Sequence, residues 1–142
     1  MKMSRMAVLV AALVVGTSAA LVAQDTSFSV ESDHYLVISE ISQEHAQQVS
    51  DRMEAMLALY NQQFRYPVDR LDAPLRVRIF ATKSRFDSYL RRLVDETREG
   101  YVYLHYSDLA KSELVGYYVD DDSLEQSMIH QSFIQFFRAF VP

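Results

Sequence analysis

Ser123-Leu124-Glu125-Gln126-Ser127-Met128-Ile129-His130-Gln131-Ser132-Phe133-Ile134-Gln135-Phe136-Phe137-Arg138-Ala139-Phe140 is the stretch on which the reading of this chain turns. Ser123 followed three residues later by Gln126 is a capping-box pattern, in which hydroxyl and amide each satisfy an orphan backbone donor. Ile129, Phe133, Phe136, Phe137 and Phe140 then recur at helical spacing. The pattern predicts a helix with a strongly apolar face, carrying His130 near its start.

Working outward, Asp120-Asp121-Asp122 places negative charge before that helix, where its dipole favours it. Upstream, Tyr101 to Tyr106 and Glu113 to Val119 read as two strands joined by a polar turn near Ser107-Asp108, an antiparallel hairpin with a longer loop. Thr82 is placed to cap a shorter helix whose apolar contacts are Phe86, Tyr89, Leu90 and Leu93, and Asp95 to Gly100 breaks it. Leu75, Val77 and Ile79 alternate with Arg76 and Arg78, the pattern of a half-buried strand. Pro67 to Pro74 is a loop.

Before that loop, a helix from about Ser42 to Phe64 carries a stripe of Val49, Met53, Met56, Leu57, Tyr60 and Phe64, with Glu44, Asp51, Arg52 and Glu54 facing water. Phe28-Ser29-Val30 and Tyr35 to Ile38 are two short strands, or one strand broken near Asp33-His34. The expected fold is α+β, a small, mostly antiparallel sheet with three helices packed against it.

The order of these segments carries a resemblance. Pro74 to Phe80, Ser84 to Leu90, the Leu114-Val115-Gly116-Tyr117-Tyr118 strand and the His130 helix together resemble the peptidase MA-like domain of the thermolysin-type (gluzincin) zinc metallopeptidases. The likeness spans roughly residues 28 to 142. It implies a small sheet whose edge borders the helix that would carry zinc ligands, here the last of the three. The family writes that helix as apolar-apolar-His-Glu-x-x-His.

In this chain the first His falls on His130, but Gln131 stands at the Glu position and Ile134 at the second His position. Catalytic zinc takes three protein ligands and keeps one position for water. Two His at i and i+4 grip one metal because they share a helix face, and Ile134 offers no donor. Gln131 has no titratable group with which to take a proton from bound water. The family's third ligand, a Glu on the following helix, has no counterpart before Pro142. The resemblance therefore implies an exported, catalytically inactive peptidase-like domain, a binding or structural module with no cofactor. The alternatives are a zinc-dependent metallopeptidase, or a fragment of one, with ligands not recognisable here, and an unrelated periplasmic adaptor.

The N-terminus reads as a targeting segment. Lys2 and Arg5 precede the apolar run Met6 to Val15, and small residues follow, so residues 1–23 are expected to be a signal peptide cleaved after Ala20 or Ala23. An uncleaved anchor is the competing reading. The protein is thus expected outside the cytoplasm, periplasmic or secreted, with no membrane attachment after cleavage. It has no Cys and so no disulfides, even in an oxidising compartment.

Residues 24–142 are one domain's worth of chain. Without Lys2 and Arg5, 12 basic residues face 19 acidic ones, a net charge of −7. That charge argues against a nucleic-acid partner, which needs a basic surface.

Other candidates are weaker. His34, His45 and His105 lack a partner at metal-ligand spacing. Asp120 to Asp122 lack the alternation of a calcium loop and read as a solvated turn. Tyr103, Tyr117 and Tyr118, with Tyr101 and Tyr106, could line a peptide or sugar groove, although strand tyrosines usually cover a core. Phe133, Phe136, Phe137 and Phe140 concentrate more apolar area than the predicted helices obviously cover. They are expected to be covered by chain beyond Pro142 or by a protein or peptide partner.

Overall fold

Alternation and helical periodicity resolve into ten short elements in the computed structural model, which describes residues 26–141. Residues 1–23, expected to be a targeting segment, lie outside the described residues. Strands β1 (Phe28–Glu31) and β2 (Tyr35–Ser39) form an antiparallel hairpin, with Phe28 opposite Ser39. Helix α1 (Gln43–Phe64) follows, and Ser42 caps it by accepting the His45 N–H. A 3-10 turn at Val68–Arg70 leads to β3 (Leu75–Phe80), and Thr82 then caps α2 (Lys83–Val94). Strands β4 (Val102–Leu104) and β5 (Glu113–Tyr117) precede α3 (Glu125–Phe140).

The five strands make one sheet in the order β1-β2-β3-β5-β4. The fold is α+β as expected, but the sheet is evenly mixed. β1–β2 and β4–β5 pair antiparallel, while β2–β3 and β3–β5 pair parallel. The reason is α1: a parallel neighbour needs a long crossover, and the helix supplies it between β2 and β3.

One face of the sheet packs Val37, Leu75, Val77, Ile79 and Leu114 against Ala46, Met53 and Leu57 of α1 and Phe136 of α3. The other face packs Phe80, Val115 and Tyr117 against Phe86 and Leu90 of α2. β3, β4 and β5 therefore serve both cores, their residues pointing to opposite sides of the sheet.

Local expectations fail at several points for identifiable reasons. Ser123 does not cap α3: its N–H is spent on Asp121 Oδ1 at 2.8 Å, and the helix starts at Glu125 after Leu124, which offers no side-chain cap. The buried face of α3 is Met128, Ser132, Gln135 and Phe136, whereas Ile129 is exposed. The rotation follows from the contact, because α3 lies against α1 and β4 together, and that pair selects the row through Phe136.

Glu54 does not face water alone. It accepts from Ser32 Oγ at 2.7 Å, from the His34 N–H at 2.8 Å and pairs with His34 Nδ1 at 2.7 Å, tying the β1–β2 turn to α1. Phe64 and Leu93, expected in buried stripes, lie near helix ends and stay largely exposed. β4 and β5 are shorter than expected: β4 ends at Leu104, opposite Glu113, and β5 ends at Tyr117, where its pairing with β3 stops.

Two glycines mark close approaches. Gly100 takes a φ of 82°, a left-handed conformation, directly against Ser127 of α3. Gly116 sits in β5 beneath the Tyr101 ring, where a Cβ would overlap the ring atoms.

Candidate functional site

The helix that carries His130 has been put to a structural use. β4 is the last strand of the sheet, and α3 runs along its open side. Ser127 Oγ accepts the Tyr101 N–H at 2.8 Å, and Gln131 Oε1 accepts the Tyr103 N–H at 3.0 Å. Ser127 and Gln131 are one helical turn apart, while Tyr101 and Tyr103 are two residues apart on a strand. One helix row therefore meets one strand edge. An edge strand otherwise presents unpaired donors.

The neighbouring positions go elsewhere. His130 is exposed rather than held at the sheet–helix seam. Ile134 is half-buried and offers no donor atom. Among the described residues no three His, Cys, Asp or Glu side chains come together in a way that could hold a metal. The positions matching the zinc motif thus do not fit zinc: one exposed His, one amide bonded to backbone and one hydrocarbon.

One phenylalanine of the expected interface differs from expectation. Phe136 is fully buried and cannot form a surface. It is covered by Tyr60, Phe64 and Tyr66, with ring centroids 5.6, 6.0 and 5.6 Å away. Phe133 leans edge-on against Tyr60 at 5.3 Å, and Phe140 stacks on Tyr66 at 5.0 Å. Phe137 reaches Phe64 at 6.1 Å. Tyr66, just past the end of α1, supplies cover that the helices alone do not.

A concavity lies elsewhere, at the C-terminal ends of parallel strands β3 and β5. It is a cleft of about 180 Å³ between the first half of α1 and the start of α3. In open sheets with parallel strands this is the end where ligands bind. Tyr101, Tyr117 and Tyr118 all border it, so two of the three expected groove tyrosines do reach one cleft. Tyr103 does not. It stays at the β4 edge, its ring 5.8 Å from that of His105.

His45, Arg52, Asp121, Asp122 and Glu125 complete the polar lining. His45 Nδ1 lies 2.9 Å from Ser39 Oγ, and that oxygen also accepts the Ile41 N–H at 3.1 Å. Ser39 is fully buried with no other acceptor for its proton among the described residues, so its hydroxyl is assigned as donor to Nδ1, which leaves the imidazole proton on Nε2. Burial lowers the His45 pKa from its ordinary value, favouring the neutral ring. Tyr118 packs edge-on to that ring at 5.4 Å.

Tyr101 lies over Gly116, and its hydroxyl makes no hydrogen bond to any described residue. Burial pushes its pKa up to about 12, with the Arg52 charge opposing the rise. Arg52 is paired with Glu125.

Little of this cleft follows from sequence reasoning. His45 and Ser39 straddle the β2–α1 junction, where neither helical nor strand periodicity applies. The one available signal is Gly116, a glycine within an apolar strand, which points to something packed close on the backbone. No protein-family model and no curated protein matches the chain.

Proposed function

We propose that the chain is an exported, catalytically inactive peptidase MA-like domain that acts as a binding or structural module. The observation that carries this reading is the bond from Tyr103 N–H to Gln131 Oε1. At the position where the family places its general base, this chain has a neutral amide, and the amide serves the sheet edge. The family resemblance implies a helix bordering a sheet edge, and α3 bordering β4 agrees with it. Ile134, at the second ligand position, has nothing to give a metal. Export rests on the pattern of residues 1–23.

The test is metal content and peptidolysis of the purified chain. No stoichiometric zinc and no chelator-sensitive cleavage are expected, and the Gln131→Glu, Ile134→His double variant should also be inactive, because no third ligand joins these positions among the described residues. Zinc bound one-to-one and lost on His130→Ala would overturn the reading.

A further inference from the structure

The cleft at the ends of β3 and β5 has a chemical character of its own. Its polar rim carries the carboxylates of Asp121, Asp122 and Glu125 against one guanidinium, that of Arg52. Glu125 and Arg52 neutralise each other. Asp121 and Asp122 have no Lys, Arg or His partner among the described residues. Hydrogen bonds from Ser123 hold the Asp121 pKa below its ordinary value, so that carboxylate stays charged. Burial favours the neutral form of His45.

An acidic turn alone would be a solvated loop. Here it stands at the mouth of a cavity walled by Tyr101 and Tyr118 and floored by Val49, Ile79 and Met128. The Tyr101 hydroxyl there has no hydrogen-bond partner among the described residues.

We infer that this cleft binds an organic cation: an ammonium or guanidinium group on a short alkyl stem. The two unpaired carboxylates face the charge, the aromatic rings accept a cation over their faces, and the apolar floor takes the stem. A volume of about 180 Å³ holds about six water-sized groups, which is the scale of a lysine or arginine side chain or a free alkylamine. An inorganic divalent ion does not fit as well, because no three of its ligand types converge among the described residues. An anion would meet Asp121 and Asp122 uncompensated. The inference does not use the peptidase-like reading: zinc at His130 would overturn that reading and leave this one standing.

The test is an NMR titration of the isotope-labelled full chain, at fixed ionic strength, with n-butylammonium, n-butylguanidinium, n-butanol and butyrate. The two cations should give saturable shifts at Tyr101, Tyr118 and the His45 ring, and the neutral and anionic analogues should not. Asp121→Asn with Asp122→Asn should weaken cation binding at least ten-fold. Both residues are exposed, and Asn keeps the acceptor for the Ser123 N–H, so this variant remains folded. Val49→Phe, which fills the cleft, should abolish binding independently.

A blocked Gly-Lys-Gly peptide separates the two sources. Tighter binding than butylammonium identifies a partner's basic side chain, and weaker binding identifies a free amine. No saturable shift with any of the three cationic probes, or equal binding by the Asn variant, overturns the inference.

Discussion

Gln131 and Tyr103 are joined by a 3.0 Å hydrogen bond from the strand N–H to the side-chain oxygen, which closes the edge of the sheet with a helix side chain. A buried or half-buried donor left without an acceptor costs about 1–3 kcal/mol. Gln131→Ala should therefore lower unfolding free energy by about 1–2 kcal/mol in urea denaturation. Gln131→Glu, which keeps the oxygen, should lose less. Equal losses in both variants would show that the bond contributes nothing specific.

Gly116 and Tyr101 occupy one space. Gly116→Ala drives a methyl group into the Tyr101 ring, and overpacking of this kind costs about 1–3 kcal/mol. Pairing it with Tyr101→Leu should recover part of that loss, because the smaller side chain yields the space. A double-mutant cycle measures the coupling, and strict additivity would contradict the contact.

Glu113 is only 4 % exposed yet charged, bonded by Arg78 Nε at 2.9 Å and by the Tyr89 hydroxyl at 2.7 Å. Removing one partner of a buried pair strands the other, so Glu113→Ala should cost about 3 kcal/mol. Glu113→Gln, whose amide oxygen still accepts from Arg78 and whose amide N–H can donate to the Tyr89 hydroxyl, should cost less, as read by thermal or chemical denaturation.

Burial and then Glu113 push the Tyr89 pKa up to about 12, and burial does the same for Tyr101. A folded pKa raised above the unfolded value of 10.0 contributes stability that is complete below pH 10 and lost as pH rises towards 12. Stability should fall across that window. Tyr89→Phe should flatten the fall, and ultraviolet titration should find these two phenols ionising late.

On the acid side, burial raises the Glu54 pKa, but the hydrogen bonds from Ser32 and His34 and the His34 charge outweigh it, and the net shift is downward. A depressed carboxylate contributes stability above its unfolded pKa and loses it as pH falls through the folded one. Glu54→Gln should shallow the acid limb of the stability–pH curve. An unchanged limb would mean that the turn at His34 is not held by charge.

Much of the fold was legible because its signals are local. Ser42 and Thr82 precede helical periods and cap them, and Leu75, Val77 and Ile79 alternate as a half-buried strand must. The failures fall where a local pattern competes with a distant partner. Ser123 has the residues of a capping box, but Asp121 takes its N–H. Ile129 keeps helical spacing with the phenylalanines, yet the packing against α1 turns it outward. Glu54 looks like a surface charge until the β1–β2 turn arrives beside it.

The sequence by itself determined the class of the fold and the chemical poverty of the His130 helix, because residue type and spacing decide whether a ligand set or a base exists at all. Only the tertiary structure decided that the sheet is mixed, that Gln131 serves an edge strand, and that His45, Tyr101 and Asp121 share a cleft. Those residues lie 20 to 76 positions apart. Their meeting depends on a helical crossover and two strand registers, and no periodicity within one segment encodes it.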